Sequence, residues 1–179
     1  RNIPMIPRTL SDELCSLVEG EARHTLCCEL LIRKDGSIAP DFRFFAATIC
    51  SQGRLIYDEV SDLLEHGKAE GFTPAAHILS QLQALQAITA ARHEWRSKHA
   101  LVFGDKPDYS FELDEQGAVV AIHVEPRRIA NRMVEEAMIA ANVCAGEFLT
   151  KTPGYGIFNV HAGFDPEKMA GAMELLAAH

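Results

Sequence analysis

The sequence predicts an α+β fold, and three observations carry that prediction. Two Gly-containing turn signals, Lys34-Asp35-Gly36-Ser37 and Asp114-Glu115-Gln116-Gly117, each separate two apolar stretches, the pattern of a β-hairpin. Three stretches repeat apolar residues at intervals of three and four, as an amphipathic helix does. The strands come in adjacent pairs between helices, which disfavours the alternating series of a parallel α/β sheet.

Taken in order, Pro4 and Pro7 hold the start extended, and Ser11 followed by Asp12 and Glu13 caps a short helix. Thr25 to Arg33 and Phe42 to Cys50 form the first hairpin. His24, Cys27 and Cys28 do not make a metal site, because successive residues of a strand point to opposite faces. Ile56, Val60, Leu63 and Leu64 mark a helix over Leu55 to His66, with Gly67 as its stop. Thr73-Pro74 reads as cap and first turn of a long helix to about Lys98, with Ile78, Leu82, Leu85 and Ile88 as its seam. The end of that helix gathers Arg92, His93, Trp95, Arg96, Lys98 and His99, which suits either a capped helix packing its Trp or a nucleic-acid contact.

Leu101-Val102-Phe103 is a short apolar run before Gly104. Tyr109 to Leu113 and Ala118 to Val124 are the strands of the second hairpin. Pro126 then opens a helix to Val143 or beyond. Its apolar arc of Ile129, Ala130, Met133, Val134, Ala137, Met138, Ala140, Ala141 and Cys144 covers about half the circumference. Arg128, Asn131, Arg132, Glu135 and Asn142 form a polar stripe opposite. That stripe is either a solvated face of ordinary ion pairs or the lining of a cleft. A strand over 157–161 and a last helix capped by Asp165-Pro166, with Met169, Met173, Leu176 and Ala177 inward, complete the chain.

A chain of 179 residues, 47% hydrophobic and 23% charged, supports one globular domain. The formal charge of −8 disfavours a wholly basic nucleic-acid binder but leaves room for a local basic groove. Five cysteines without a C-x-x-C pair argue against a disulfide framework or a structural zinc site and fit a reducing, cytoplasmic setting. No apolar run reaches the length of a membrane span. Neither a Gly-rich phosphate loop nor H-E-x-x-H nor G-x-S-x-G occurs, and spacing alone assembles no active site. The start at Arg1 and the stop at His179 inside a helical pattern read as a piece of something longer.

The blocks IPMIPRTLSDELCSL, FFAATICSQGRLIYDEVSDLLE, EWRSKHALVFGDKPDYSFEL, EPRRIANRMVEEAMIAANVCA and GIFNVHAGFDP, in this order, resemble the catalytic domain of the ribonuclease II, or RNB, family of exoribonucleases. The resemblance covers nearly the whole chain. It implies that residues 1–179 are the central part of an RNB catalytic domain, with β-hairpins of a mixed sheet packed against long helices. The implied activity is magnesium-dependent, processive 3′-to-5′ hydrolysis of single-stranded RNA to nucleoside 5′-monophosphates, without cleavage of DNA, by a monomeric parent enzyme. The family's metal-binding aspartate cluster falls upstream of Arg1, its cold-shock domains and C-terminal S1-type domain fall outside as well, and this chain alone is expected to be inactive. Residue by residue, Phe103 in ALVFGD matches the aromatic that stacks on RNA bases. Tyr57 in RLIYDEV and Glu135 in RMVEEAM match positions that hold the terminal nucleotide and distinguish ribose from deoxyribose. Arg128, Asn131, Arg132 and Asn142 are then supporting candidates. The rival expectations are a non-catalytic RNA-binding or regulatory relative that has lost its aspartates, and a purely structural scaffold.

Overall fold

The computed structural model describes residues 3–100, 108–151, 156–157 and 166–177. It divides into two units, Arg1–Ala145 and Gly146–His179. The first unit opens with a π-helical turn, Thr9–Leu14, closed by a hydrogen bond from the Cys15 N–H to the Leu10 carbonyl, where the sequence predicts an ordinary helix. Strands β1 (Ala22–Ile32) and β2 (Ile38–Cys50) form the first hairpin, antiparallel, with Glu29 opposite Arg43 and an irregularity between Leu30 and Ile32. Its turn is tied by the Asp35 carboxylate, which accepts hydrogen bonds from the Ser37 N–H and hydroxyl.

Gly36 in this turn has φ +85, and a Cβ added there would stand 2.0 Å from the Ala91 carbonyl oxygen. Only glycine lets the turn lie this close to the long helix α2 (Ala76–His99), which starts shortly after the predicted Thr73-Pro74 cap. Arg92 of α2 is 2% exposed and donates to the Gly36 carbonyl at 2.7 Å. The Arg92 guanidinium also lies 5.2 Å from the centre of the Trp95 ring, and Trp95 stacks on His99 at 4.5 Å. Lys98 pairs with Glu94. Arg92 is therefore engaged in internal packing, and Lys98 and His99 make exposed contacts within their own helix, which favours the capped-helix reading.

Helix α1 (Tyr57–His66) lies within a residue or two of its predicted span. Asp58 and Glu59 complement the dipole in its first turn, and Gly67, at φ 75, ends it with a hydrogen bond to the Leu63 carbonyl. Strands β3 (Asp108–Leu113) and β4 (Val119–Glu125) form the second hairpin, also antiparallel. Among the described residues the hairpins are two separate two-stranded sheets rather than parts of one mixed sheet.

Helix α3 (Ile129–Thr150) begins three residues later than Pro126 suggests. A residue before proline is pushed toward extended backbone, so Pro126 fits the end of β4 at Glu125 better than a first helical turn. Its buried face is also narrower than the predicted arc. Ala130, Met133, Ala140 and Cys144 are buried, whereas Val134, Ala137 and Met138 are exposed and Glu136 is buried instead. Val60 of α1, Leu82 of α2 and Ala130 and Met133 of α3 form the core, flanked by Leu64, Phe72, Ile78, Leu85 and Ile129, while Ile88 of the expected seam is exposed.

The second unit holds the end of α3 and helix α4 (Pro166–Ala177). Met169 and Met173, expected to face inward, are exposed. A unit this short supplies too little apolar surface to cover an amphipathic helix. The run 101–104, most of the strand expected over 157–161 and the Asp165 cap lie outside the described residues. No helix among the described residues is long and apolar enough to cross a membrane.

Candidate nucleotide-binding cleft

Helix α3 turns Asn131, Glu135, Met138 and Asn142 to one side, since steps of four, three and four residues return to nearly the same angle. This row is the floor of a cleft of about 420 Å³, completed by Val134, Ile139, Tyr57 and Arg127. Tyr57 is the first residue of α1, and the segment before it is seated by the Glu19 carboxylate, which accepts from the Arg54 N–H at 3.2 Å. Arg127 comes from the connection between β4 and α3. Tyr57 is 49% exposed and Met138 60%, so an aromatic and a thioether surface stand open beside a carboxylate and two amides.

The structure thus brings four of the residues singled out in the sequence, Tyr57, Asn131, Glu135 and Asn142, to one place. Arg128 points elsewhere. Its Nη2 donates to Asp62 at 2.6 Å and to Glu65 at 2.8 Å, with Asp58 at 3.7 Å. These carboxylates hold the Arg128 guanidinium above its ordinary value, the Glu65 hydrogen bond first. In return Arg128 holds the Glu65 carboxyl below the usual carboxylate range. Arg132 is half-buried and does not line the cleft. Phe103 lies outside the described residues.

The same elements hold the two walls of the cleft together. A helix leaves its first N–H groups without internal partners. At the start of α3, the Glu65 carboxylate accepts from the Ile129 N–H at 3.2 Å and the Ser61 hydroxyl oxygen from the Ala130 N–H at 3.3 Å. Asn131 accepts from the Arg128 N–H at 3.2 Å. Helix α1 therefore caps α3 through its side chains, and the helix that presents Tyr57 is fastened to the one that presents Glu135. On the far side of α3, Glu136 is 4% exposed and accepts from Arg96 at 2.5 Å, with His93 at 3.6 Å. Burial pulls the Arg92 guanidinium below its ordinary value, and the Glu136 charge partly offsets that.

Two functional candidates were missed in the sequence. Arg127 donates to Glu135 Oε2 at 3.3 Å across the cleft. It lies in the connection before α3, where helical spacing carries no signal for it. Glu136 carried none either, because its partner Arg96 lies 40 residues away on another helix.

Among the described residues, no three His, Cys, Asp or Glu side chains stand together in a cluster that could hold a metal ion. Asp62 and Glu65 of α1 are turned to Arg128. These side chains do not fit a metal site, and no chemical step through a metal follows from them. What the cleft can do is hold a ligand with a flat apolar part and hydroxyl groups: a ring against Tyr57 and Met138, and hydrogen-bond donors toward Glu135.

All 179 residues match the family model described as "RNB domain". The chain is 64% identical over 176 residues to "Exoribonuclease 2" of Aeromonas hydrophila, covering 98% of this chain and 26% of that protein. It is 56% identical over 179 residues to the protein of that name from Vibrio cholerae, again 26% of its length. The chain thus spans about a quarter of the length of these curated relatives. Among solved structures, the apo form of Mycoplasma genitalium RNase R matches with a TM-score of 0.86 at 24% identity, over 98% of this chain and 27% of that one. The same protein in complex with ribose-methylated single-stranded RNA matches equally well. At that identity the likeness shows the α+β fold alone. With its full length matched by the family model and more than half its residues shared with two relatives, the chain belongs to the RNB domain family.

Proposed function

We propose that this chain forms part of the RNA-binding wall of a 3′-to-5′ exoribonuclease, and that the cleft between α1 and α3 holds the terminal nucleotide of single-stranded RNA. The observation that carries the reading is the meeting of Tyr57, Asn131, Glu135 and Asn142 in one cleft. A nucleotide offers what that lining complements. Its base is a flat face for Tyr57, and its ribose 2′-hydroxyl is a donor that the Glu135 carboxylate accepts. DNA lacks that hydroxyl, so Glu135 supplies the preference for RNA. Phe103 is proposed as a second stacking surface, on the strength of its match to the family's ALVFGD block. The relatives' name, Exoribonuclease 2, and their identity to this chain support an exoribonuclease as the parent; processive hydrolysis to nucleoside 5′-monophosphates by a cytoplasmic monomer is proposed for it from the family resemblance.

Magnesium is proposed as the cofactor of that parent activity, held by residues outside this chain; when bound, it activates water and stabilises the leaving oxygen. This chain's own residues bind and orient the nucleotide. The test is to titrate the chain into labelled single-stranded RNA and, separately, to incubate it with RNA and magnesium. The expected result is binding without hydrolysis. Failure to bind overturns the RNA-wall reading, and robust hydrolysis overturns the assignment of the chemistry to residues outside the chain. Hydrolysis by a longer protein containing this chain distinguishes the enzyme from a non-catalytic RNA-binding relative.

A further inference from the structure

Arg127 is the cation that lines the cleft among its described residues; Asn131, Asn142 and Tyr57 are neutral there, and Glu135 is negative. A nucleotide presents two demands at once. Its ribose hydroxyl suits a carboxylate, and its phosphate is repelled by one. Arg127 and Glu135 stand 3.3 Å apart and both side chains are 41% exposed, so their ion pair is screened by water and easily exchanged. A phosphate offers the guanidinium a better partner than this single 3.3 Å contact, because two parallel N–H groups can each meet a phosphate oxygen. The neighbouring Arg128 cannot substitute, since it is turned to Asp62 and Glu65 of α1.

We propose that Arg127 is the phosphate-binding side chain of this cleft. On RNA binding it exchanges the Glu135 carboxylate for a backbone phosphate and leaves Glu135 to accept from the ribose 2′-hydroxyl. The inference rests on the RNA-binding reading of the cleft and divides the work within it: Arg127 takes the group that RNA and DNA share, and Glu135 the group that only RNA carries.

That division is testable by fluorescence anisotropy with a short single-stranded RNA and the DNA of the same sequence, each over a range of salt concentrations. Arg127→Gln is expected to weaken RNA and DNA binding by the same factor, roughly tenfold. It is also expected to lower the slope of log affinity against log salt by about 0.7, the value for one phosphate contact on a single strand. Arg127→Lys keeps the slope, and circular dichroism melts of both variants show the fold intact. Glu135→Gln lowers the preference for RNA over DNA without lowering the slope. An unchanged slope in Arg127→Gln overturns the proposal. So does a loss of RNA preference in Arg127→Gln as large as in Glu135→Gln, because Arg127 then acts only by positioning Glu135. No binding of either oligonucleotide by the unaltered chain removes the RNA reading and this proposal together, whereas the two preceding outcomes leave the RNA reading standing.

Discussion

Glu135 and Glu136 are neighbours on α3 with opposite fates, because adjacent residues of a helix point about 100° apart. Glu135 stands half-exposed in the cleft. Glu136 is buried against Arg96. Removing one partner of a buried ion pair strands the other charge, so Glu136→Ala should cost about 3–5 kcal/mol of stability. Glu135→Ala, at an exposed pair, should stay within about 1 kcal/mol. Denaturant unfolding of both variants checks this, and equal losses contradict it. Tyr57→Ala should weaken RNA and DNA binding together by about 1–3 kcal/mol in a titration, since every base offers a face to stack on. At this scale the blocks that match the family singled out Tyr57 and Glu135, and the structure brings the two into one cleft. The sequence was silent where a side chain's role depends on a distant partner. Nothing around Arg128 in the sequence shows that its guanidinium turns to α1, 63 and 66 residues back, rather than into the cleft.

Helix α1 and the start of α3 behave as one element, joined by the Glu65 and Ser61 caps and the Arg128 cluster. Glu65 is held below the usual carboxylate range in the folded protein, chiefly by its hydrogen bond from Arg128. Its contribution is therefore whole above the ordinary value of 4.5 and is lost as pH falls through the lower folded value. Thermal melts from neutral pH downward should show stability falling below about pH 4.5. Glu65→Gln should lose stability at neutral pH and show a shallower fall; an identical pH profile in the variant contradicts this role. The first hairpin is fixed to α2 in a different way, by the close approach of Gly36. Gly36→Ala forces a Cβ into the Ala91 carbonyl at a positive φ, and should cost about 3 kcal/mol in denaturant unfolding. Periodicity and turn residues made the helices and both hairpins legible, with starts shifted at α2 and α3. The turn-to-helix approach and the capping of one helix by another were not legible, because local patterns do not encode which elements meet.

At the scale of the molecule, the α+β class was readable from paired strands among helices, and family membership extends over the full chain. Tyr109, Phe111, Leu113, Val119, Val120, Ile122 and Val124 are all exposed on β3 and β4. A two-stranded ribbon with apolar side chains in water is marginal alone and invites pairing with another chain. The isolated chain should therefore self-associate with rising concentration in analytical ultracentrifugation, and Ile122→Lys should reduce that association. A chain that stays monomeric throughout contradicts the expectation.

On the proposed reading, the cleft formed by Tyr57, Asn131, Glu135 and Asn142 recognises the ribose at the end of an RNA strand. Its most direct measurement compares two oligoribonucleotides that differ only in the 2′-hydroxyl of the 3′-terminal nucleotide, titrated against the chain and its Glu135→Gln variant. Removing this one hydroxyl is expected to weaken binding to the chain roughly tenfold and to make little difference to the variant, as loss of one hydrogen bond to a charged group would. Equal affinity of the chain for both oligonucleotides would contradict it.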